Sequence, residues 1–235
     1  MQMFIDIDGV LLNFEYVFVD WLNEQHGLGL PSNYEARTWD FEELMDREVM
    51  HDSWLRFLES NGAGEMPPLV DPEKFNSLTA DYDVHLVTNF PQPFMDKRLQ
   101  NLTAHGFNFD SIHYCGLHPY KNLQPVTKAN IIASLREPGK RAIFVDDHPD
   151  NCLDVHNNCR DVEVWMMSRR YNRDFQHPGI RRARDWGCLF SYLDDFDKTL
   201  RGETFAGLAQ HISPPGMPFA KAATLMRYLG RRGGR

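Results

Sequence analysis

Within its first ten residues the chain sets a short apolar run, Met3-Phe4-Ile5-Asp6-Ile7, against Asp8-Gly9, so that two carboxylates stand two positions apart where the run ends. The β-branched and aromatic residues favour a buried parallel strand that stops at Gly9, although periodicity alone also fits a turn of helix. Unpaired carboxylates buried at a strand end would cost roughly several kcal/mol, so the strand reading requires a cation beside Asp6 and Asp8. Two oxygen donors at that spot suit Mg²⁺. The competing reading of an isolated Asp-x-Asp-Gly is a turn closed by aspartate hydrogen bonds. Later strand ends decide between the two, because phosphate chemistry also needs a hydroxyl, a lysine and further carboxylate.

Downstream, Phe14, Val17, Phe18, Trp21 and Leu22 fall on one helical stripe that ends near Gly27, and a second helical pattern is expected over Asp40 to Leu58. Residues from about 14 to 75 read as a small helical unit inserted after the first strand, too short to sustain a core alone. Its aromatic residues Phe14, Phe18, Trp21, Trp54 and Phe57 lie at helical spacing and read first as core; stacking on a planar ligand is the sharper alternative. The loop-borne Trp39 escapes the core argument. A short helix from Pro72 leads to a second strand, Val84 to Val87, which delivers Thr88 and Asn89 at its carboxyl end, where open α/β sheets bind ligands. Taken alone, Thr88 also reads as a helix cap.

A helix from Phe94 to His105, a strand near Ile112 to Cys115 and a helix capped by Thr127 follow. Lys128 in that helix's first turn opposes the helix dipole, which calls for an anion nearby unless it is a surface lysine. Arg141 to Val145 then ends in Asp146-Asp147-His148-Pro149-Asp150, an acidic cluster too dense for a turn cap. A strand over Val162 to Met167, a basic stretch at Arg181, Arg182 and Arg184, and a helix from Trp186 to about Leu200 complete the alternation. Alternating strands and helices predict an α/β doubly wound parallel sheet. Residues 201–235 break the pattern and form a C-terminal extension whose role the sequence does not disclose.

Composition narrows the function. The chain has 235 residues, 42% hydrophobic and 25% charged, which is enough for one α/β domain with a sizeable insertion or for two small domains. Its net charge of −8 argues against a nucleic-acid duplex as partner. No apolar run approaches the about 20 residues of a membrane span. No secretory signal is evident at the N-terminus either, so a cytoplasmic protein that is a monomer or homodimer is expected. Its four cysteines lack metal-finger spacing and read as buried thiols.

Taken in order, Asp6/Asp8, Thr88, Lys128 and Asp146/Asp147 resemble the four-motif pattern of the haloacid dehalogenase-like (HAD) hydrolases. The resemblance covers about residues 1–200, with residues 1–13 and 76–200 as a Rossmannoid core and 14–75 where the family carries a helical C1-type cap. Asp6 to Glu15 and Asp146 to Asp150 look most like the 5′(3′)-deoxyribonucleotidases, and Arg182 to Trp186 is similar too. The lysine spacing and His148, where arginine is usual, depart from that subgroup.

The resemblance implies a Mg²⁺-dependent phosphomonoester hydrolase. Asp6 would be the nucleophile that forms an aspartyl-phosphate, and Asp8 the acid and then the base. Thr88, Asn89 and Lys128 would bind the phosphoryl group. Asp6, the Asp8 carbonyl and Asp147 would hold the metal, with Asp146 behind or bound through water. Lys128, 19 residues before Asp147, competes with Lys121 for the lysine role. The substrate would be a small phosphorylated molecule: a nucleoside monophosphate, with Phe14, Phe18 or Trp39 facing Asp6, or alternatively a sugar phosphate or other metabolite. A signalling receiver domain is disfavoured by motif order, and a catalytically silent binding protein by the occupancy of every motif position.

Overall fold

The computed structural model describes residues 1–31, 33–115 and 126–200; Lys121 and the C-terminal extension lie outside the described residues. The chain divides into two compact units, Met1–Arg182 and Ala183–Arg235.

The first unit is built on a sheet whose centre is β1 (Gln2–Ile5), flanked by β2 (Asp83–Thr88) and β4 (Ala142–Asp146). Adding β3 (Ser111–Tyr114), β5 (Val162–Met167) and β6 (Ile180–Ala183) gives the order β3-β2-β1-β4-β5-β6. β1 pairs in parallel with both β2 and β4, Ile5 lying opposite Leu86 on one side and Val145 on the other. β2 with β3 and β4 with β5 are also parallel. The doubly wound α/β architecture expected from the sequence is therefore present.

Strands covered on both faces are continuously apolar, and β4 is buried along its whole length. On one face Phe4, Val87, Phe144 and Val164 pack with Ala129 and Ile132 of α5 (Lys128–Leu135) and with Cys152 and Val155 of α6 (Pro149–Asn158). Gln2, the polar member of β1, is buried but satisfied: its amide donates to the Leu135 carbonyl and accepts from the Glu137 N–H.

Between β1 and β2 the chain forms α1 (Phe14–His26), α2 (Arg47–Glu59) and α3 (Pro72–Thr79). α1 ends at Gly27 with a left-handed φ of 61°, where the pattern predicted. α2 departs from expectation. Residues 40–46, read as helical, form turns in which Phe41 holds a positive φ of 59°. Polar groups explain this: the Glu43 carboxylate accepts from the Arg37 N–H, Tyr34 and Thr38, and Asp40 accepts from the Glu42 N–H. These bonds close the backbone locally in place of a helical turn.

α4 (Met95–His105) follows β2. The stretch of Arg181 and Arg182, read as basic but not as a strand, is β6. There Arg182 donates to the Asn172 and Phe175 carbonyls, and Arg181 lies over the Trp165 ring. In the second unit α7 (Trp186–Leu200) begins with the Cys188 N–H bonded to Asp185, and Trp186 packs on Phe190 one turn later. No helix among the described residues is long and apolar enough to cross a membrane.

Candidate active site

β1, β2 and β4 end side by side, which brings together Asp6 just past β1, Thr88-Asn89 at the end of β2 and Asp146-Asp147 at the end of β4. This is the carboxyl edge of a parallel sheet, where crossovers diverge and leave a crevice. A cavity of about 590 Å³ opens there, lined by Asp6, Asp8, Thr88, Asn89 and Asp147 at its floor. Its walls include Phe14, Phe18, Trp39, Phe41 and Trp54.

Lys128 is the pivot of the floor. Thr127 caps α5 in a reciprocal capping box with Asn130, which fixes where the helix starts and sends Lys128 inward. Its side chain is 1% exposed, and Nζ lies 2.7 Å from both Asp6 Oδ1 and Asp146 Oδ2. The surface alternative for Lys128 is thereby excluded. Burial alone would lower its pKa, but Asp146 and Asp6 outweigh burial and raise it, so the ammonium stays charged.

Asp6, Asp146 and Asp147 are all buried, and each offers an oxygen within 4.8 Å of the others. Burial raises the Asp6 pKa well above the ordinary carboxylate range; Lys128 opposes that, while Asp146 and Asp147 add to it. Asp147 is pushed up to about 7, by burial first and by Asp146 second. Three carboxylates thus gather round one ammonium that contacts two of them, Asp6 and Asp146. A hard divalent cation is what an all-oxygen donor set of this charge fits, and Mg²⁺ is such a cation.

The three carboxylates are held differently. Asp146 is saturated: besides Lys128 it accepts from the His148 N–H at 2.7 Å and from the Asn151 amide. Asp147 accepts from the Tyr171 hydroxyl, and Asn172 donates to its backbone carbonyl at 2.7 Å. It lies against Gly9, where φ is +75° and a Cβ would run into the Asp147 carboxylate. Glycine there meets both the left-handed backbone and the close approach. Arg169 donates to the Gly9 carbonyl through both Nε and Nη2.

Asp8 stands apart from the three. Its carboxylate pairs with Arg98, Nη2 lying 2.9 Å from Oδ1. Burial raises its pKa and Arg98 counteracts that. Thr88 is not a helix cap: its hydroxyl accepts from the Phe90 N–H at 3.1 Å, and its side chain is buried at the cavity floor. Asn89 Oδ1 is buried with no hydrogen-bond partner among the described residues.

The aromatic residues divide. Phe18 is 1% exposed and packs against Phe14, Phe41 and Phe57 with ring centroids 5.0–5.2 Å away for Phe14, Phe41 and Phe57 alike. It forms the cavity's back wall. Trp39 is 48% exposed and meets His148 edge-on at 4.6 Å. His148 Nδ1 accepts from the Asp150 N–H, which leaves the proton of the neutral ring on Nε2.

The sequence reading did not assign roles to Arg98, Arg169, Tyr171 or Asn172. Arg169, Tyr171 and Asn172 lie within five residues of the end of β5, and that position after a strand was their one visible signal.

No protein-family model matches the chain, and no curated protein matches it. Solved structures do. The putative HAD-hydrolase YfnB from Bacillus subtilis, bound to magnesium, is 14% identical over 82% of this chain and 98% of its own, with a TM-score of 0.50. A haloacid dehalogenase-like family hydrolase, SP0104 from Streptococcus pneumoniae, is 15% identical over 71% of this chain and 84% of its own, at 0.49. A putative beta-phosphoglucomutase from Thermotoga maritima is 14% identical over 85% and 100%, at 0.48. The likeness to YfnB shows a shared fold.

Proposed function

We propose that the chain is a Mg²⁺-dependent phosphomonoester hydrolase that works through an aspartyl-phosphate on Asp6. The observation that carries the reading is the Asp6–Lys128–Asp146 ion network with Asp147 beside it, set at the carboxyl edge of β1 and β4 and open to a cavity floored by Thr88. The residues at hand fit the metal: Asp6 and Asp147 with the Asp8 carbonyl would hold it, and Asp146, already saturated, would act from behind. When bound, the metal offsets negative charge on the phosphoryl group and on Asp6.

The protein's own groups do the rest. Thr88 and the backbone amides near Asn89 receive the phosphoryl oxygens, and Lys128, in contact with Asp6, favours its ionised form for attack against the burial that opposes it. Asp6 forms a bond to phosphorus as the ester P–O bond breaks, and Asp8 gives its proton to the leaving alkoxide. Water then attacks phosphorus, Asp8 takes its proton, and the bond to Asp6 breaks to free phosphate. A halide leaves without a proton, so a carboxylate placed as Asp8 is placed favours an oxygen leaving group.

The substrate proposed is a nucleoside monophosphate, because the cavity's walls are aromatic where the segment 14–75, read as a cap, faces the floor. Trp39, half exposed at that wall, is the residue best set to stack on a base. A sugar phosphate or other small phosphorylated metabolite is the alternative. Phosphate release from a panel of nucleoside monophosphates and sugar phosphates, with Mg²⁺, with chelator and with Asp6→Asn, tests the reading. Mg²⁺-dependent release led by nucleotides is expected; undiminished turnover by Asp6→Asn would overturn the role of Asp6.

A further inference from the structure

α4 carries a buried guanidinium that no step above uses. Arg98 is 0% exposed and its Cζ sits 4.0 Å from the centroid of the Phe90 ring. One edge of its fork faces Asp8, with Nε 3.3 Å from Oδ2 and Nη2 2.9 Å from Oδ1. The remaining nitrogen, Nη1, donates to the Ala63 carbonyl in the turn after α2. A planar guanidinium bound on both edges and stacked on a ring has little freedom left, so it fixes the plane of the carboxylate it holds. A carboxylate offers about four lone-pair sites. Arg98 takes one through the Nε hydrogen bond to Oδ2, and Oδ1, which it holds by charge alone, accepts no hydrogen bond among the described residues and stays open to substrate.

The rest of α4 grips the same turn. Lys97 Nζ donates to the Leu58 and Ser60 carbonyls at 2.7 and 2.8 Å. Asn101 both accepts from the Met66 N–H and donates to the Met66 carbonyl, each at 3.2 Å, and His105 Nε2 lies 2.8 Å from that carbonyl. One helix face therefore holds residues 58–66 and the Asp8 carboxylate in a common frame.

We propose that Arg98 is the positioning residue for Asp8, aiming the proton-transfer carboxylate and tying it to the inserted segment through the Ala63 carbonyl. This rests on the phosphohydrolase reading, in which Asp8 delivers one proton to the leaving oxygen and recovers one from water. Without Arg98 the carboxylate keeps its chemistry and loses its aim. The loss must then depend on how much the leaving group needs a proton, which a purely structural residue would not produce.

The test compares an alkyl phosphate with 4-nitrophenyl phosphate in wild type, Arg98→Met and Arg98→Lys, with circular dichroism and melting to establish folding. Arg98→Lys keeps the charge, loses the fork and serves if Arg98→Met fails to fold. With the alkyl ester, kcat is expected to fall about 100-fold, the scale of positioned acid–base catalysis, with KM changed little. With 4-nitrophenyl phosphate the first turnover stays within about threefold of wild type, since nitrophenolate leaves unaided. Release of the phosphoryl group still needs Asp8, so one nitrophenol per site appears in a burst before slow turnover. Equal loss of the first turnover on both esters, or no loss on either, would overturn the role of Arg98. Absence of hydrolysis in wild type would instead overturn the phosphohydrolase reading.

Discussion

Lys128 Nζ stands 2.7 Å from Asp6 Oδ1, although the two residues come from the first turn of α5 and the end of β1 and neither is appreciably exposed. The same ammonium contacts Asp146, so one cation holds two buried carboxylates in register.

Replacing Lys128 by methionine leaves Asp6 and Asp146 buried without that counter-charge. Removing one partner of a buried ion pair costs roughly 3–5 kcal/mol. Chemical denaturation without Mg²⁺ is expected to show a loss of that order, partly restored when Mg²⁺ is added. Steady-state phosphate release should fall by at least about 100-fold, because the loss of a charge-stabilising donor in a dry site is typically worth roughly 10²–10³ in kcat.

The carboxylates also predict a pH dependence. Without metal, burial and then Asp146 hold Asp147 up to about 7, above its ordinary 3.8. A carboxyl whose folded pKa lies above its unfolded value is bound more tightly to its proton in the folded state. It favours folding below about 4, and that contribution is lost as pH rises towards 7. Mg²⁺ competes with the same proton, so its affinity should climb between pH 5 and 7 and level off above. Titration calorimetry at pH 5.5 and 8 checks this, and an affinity independent of pH would contradict it.

Trp39 is half exposed and touches His148 edge-on, so Trp39→Ala should change stability by no more than about 0.5 kcal/mol. If it stacks on a base, its removal raises KM for nucleoside monophosphates by about two- to tenfold, the worth of roughly 0.5–1.5 kcal/mol of ring contact. KM for sugar phosphates should stay where it was. A parallel kinetic series on both substrate classes decides the matter.

The features legible in the sequence were those with local causes. The apolar runs at β1, β2, β4 and β5 and the Thr127 cap before Lys128 mark where strands end and a helix begins, and the ends of β1, β2 and β4 are the floor of the cavity. Arg98 was invisible because it meets Asp8 across 90 positions of chain, on a helix face that only the fold turns inward. β6 was hidden by its arginines, whose heads reach carbonyls and a tryptophan ring and so leave no alternation to read. The turns at residues 40–46 were misread because Phe41 and Leu44 keep helical spacing while Glu43 and Asp40 bond the backbone locally.

Direct detection of the phosphoryl group on Asp6 tests the account most sharply. Wild-type protein with Mg²⁺ and a substrate that it turns over is quenched in acid during the first turnover, and its peptides are mapped by mass. The account predicts a hydroxylamine-sensitive phosphoryl adduct on the peptide containing Asp6, absent when Mg²⁺ is chelated and absent from Asp6→Asn. An adduct on another residue, or full turnover by Asp6→Asn, would contradict it.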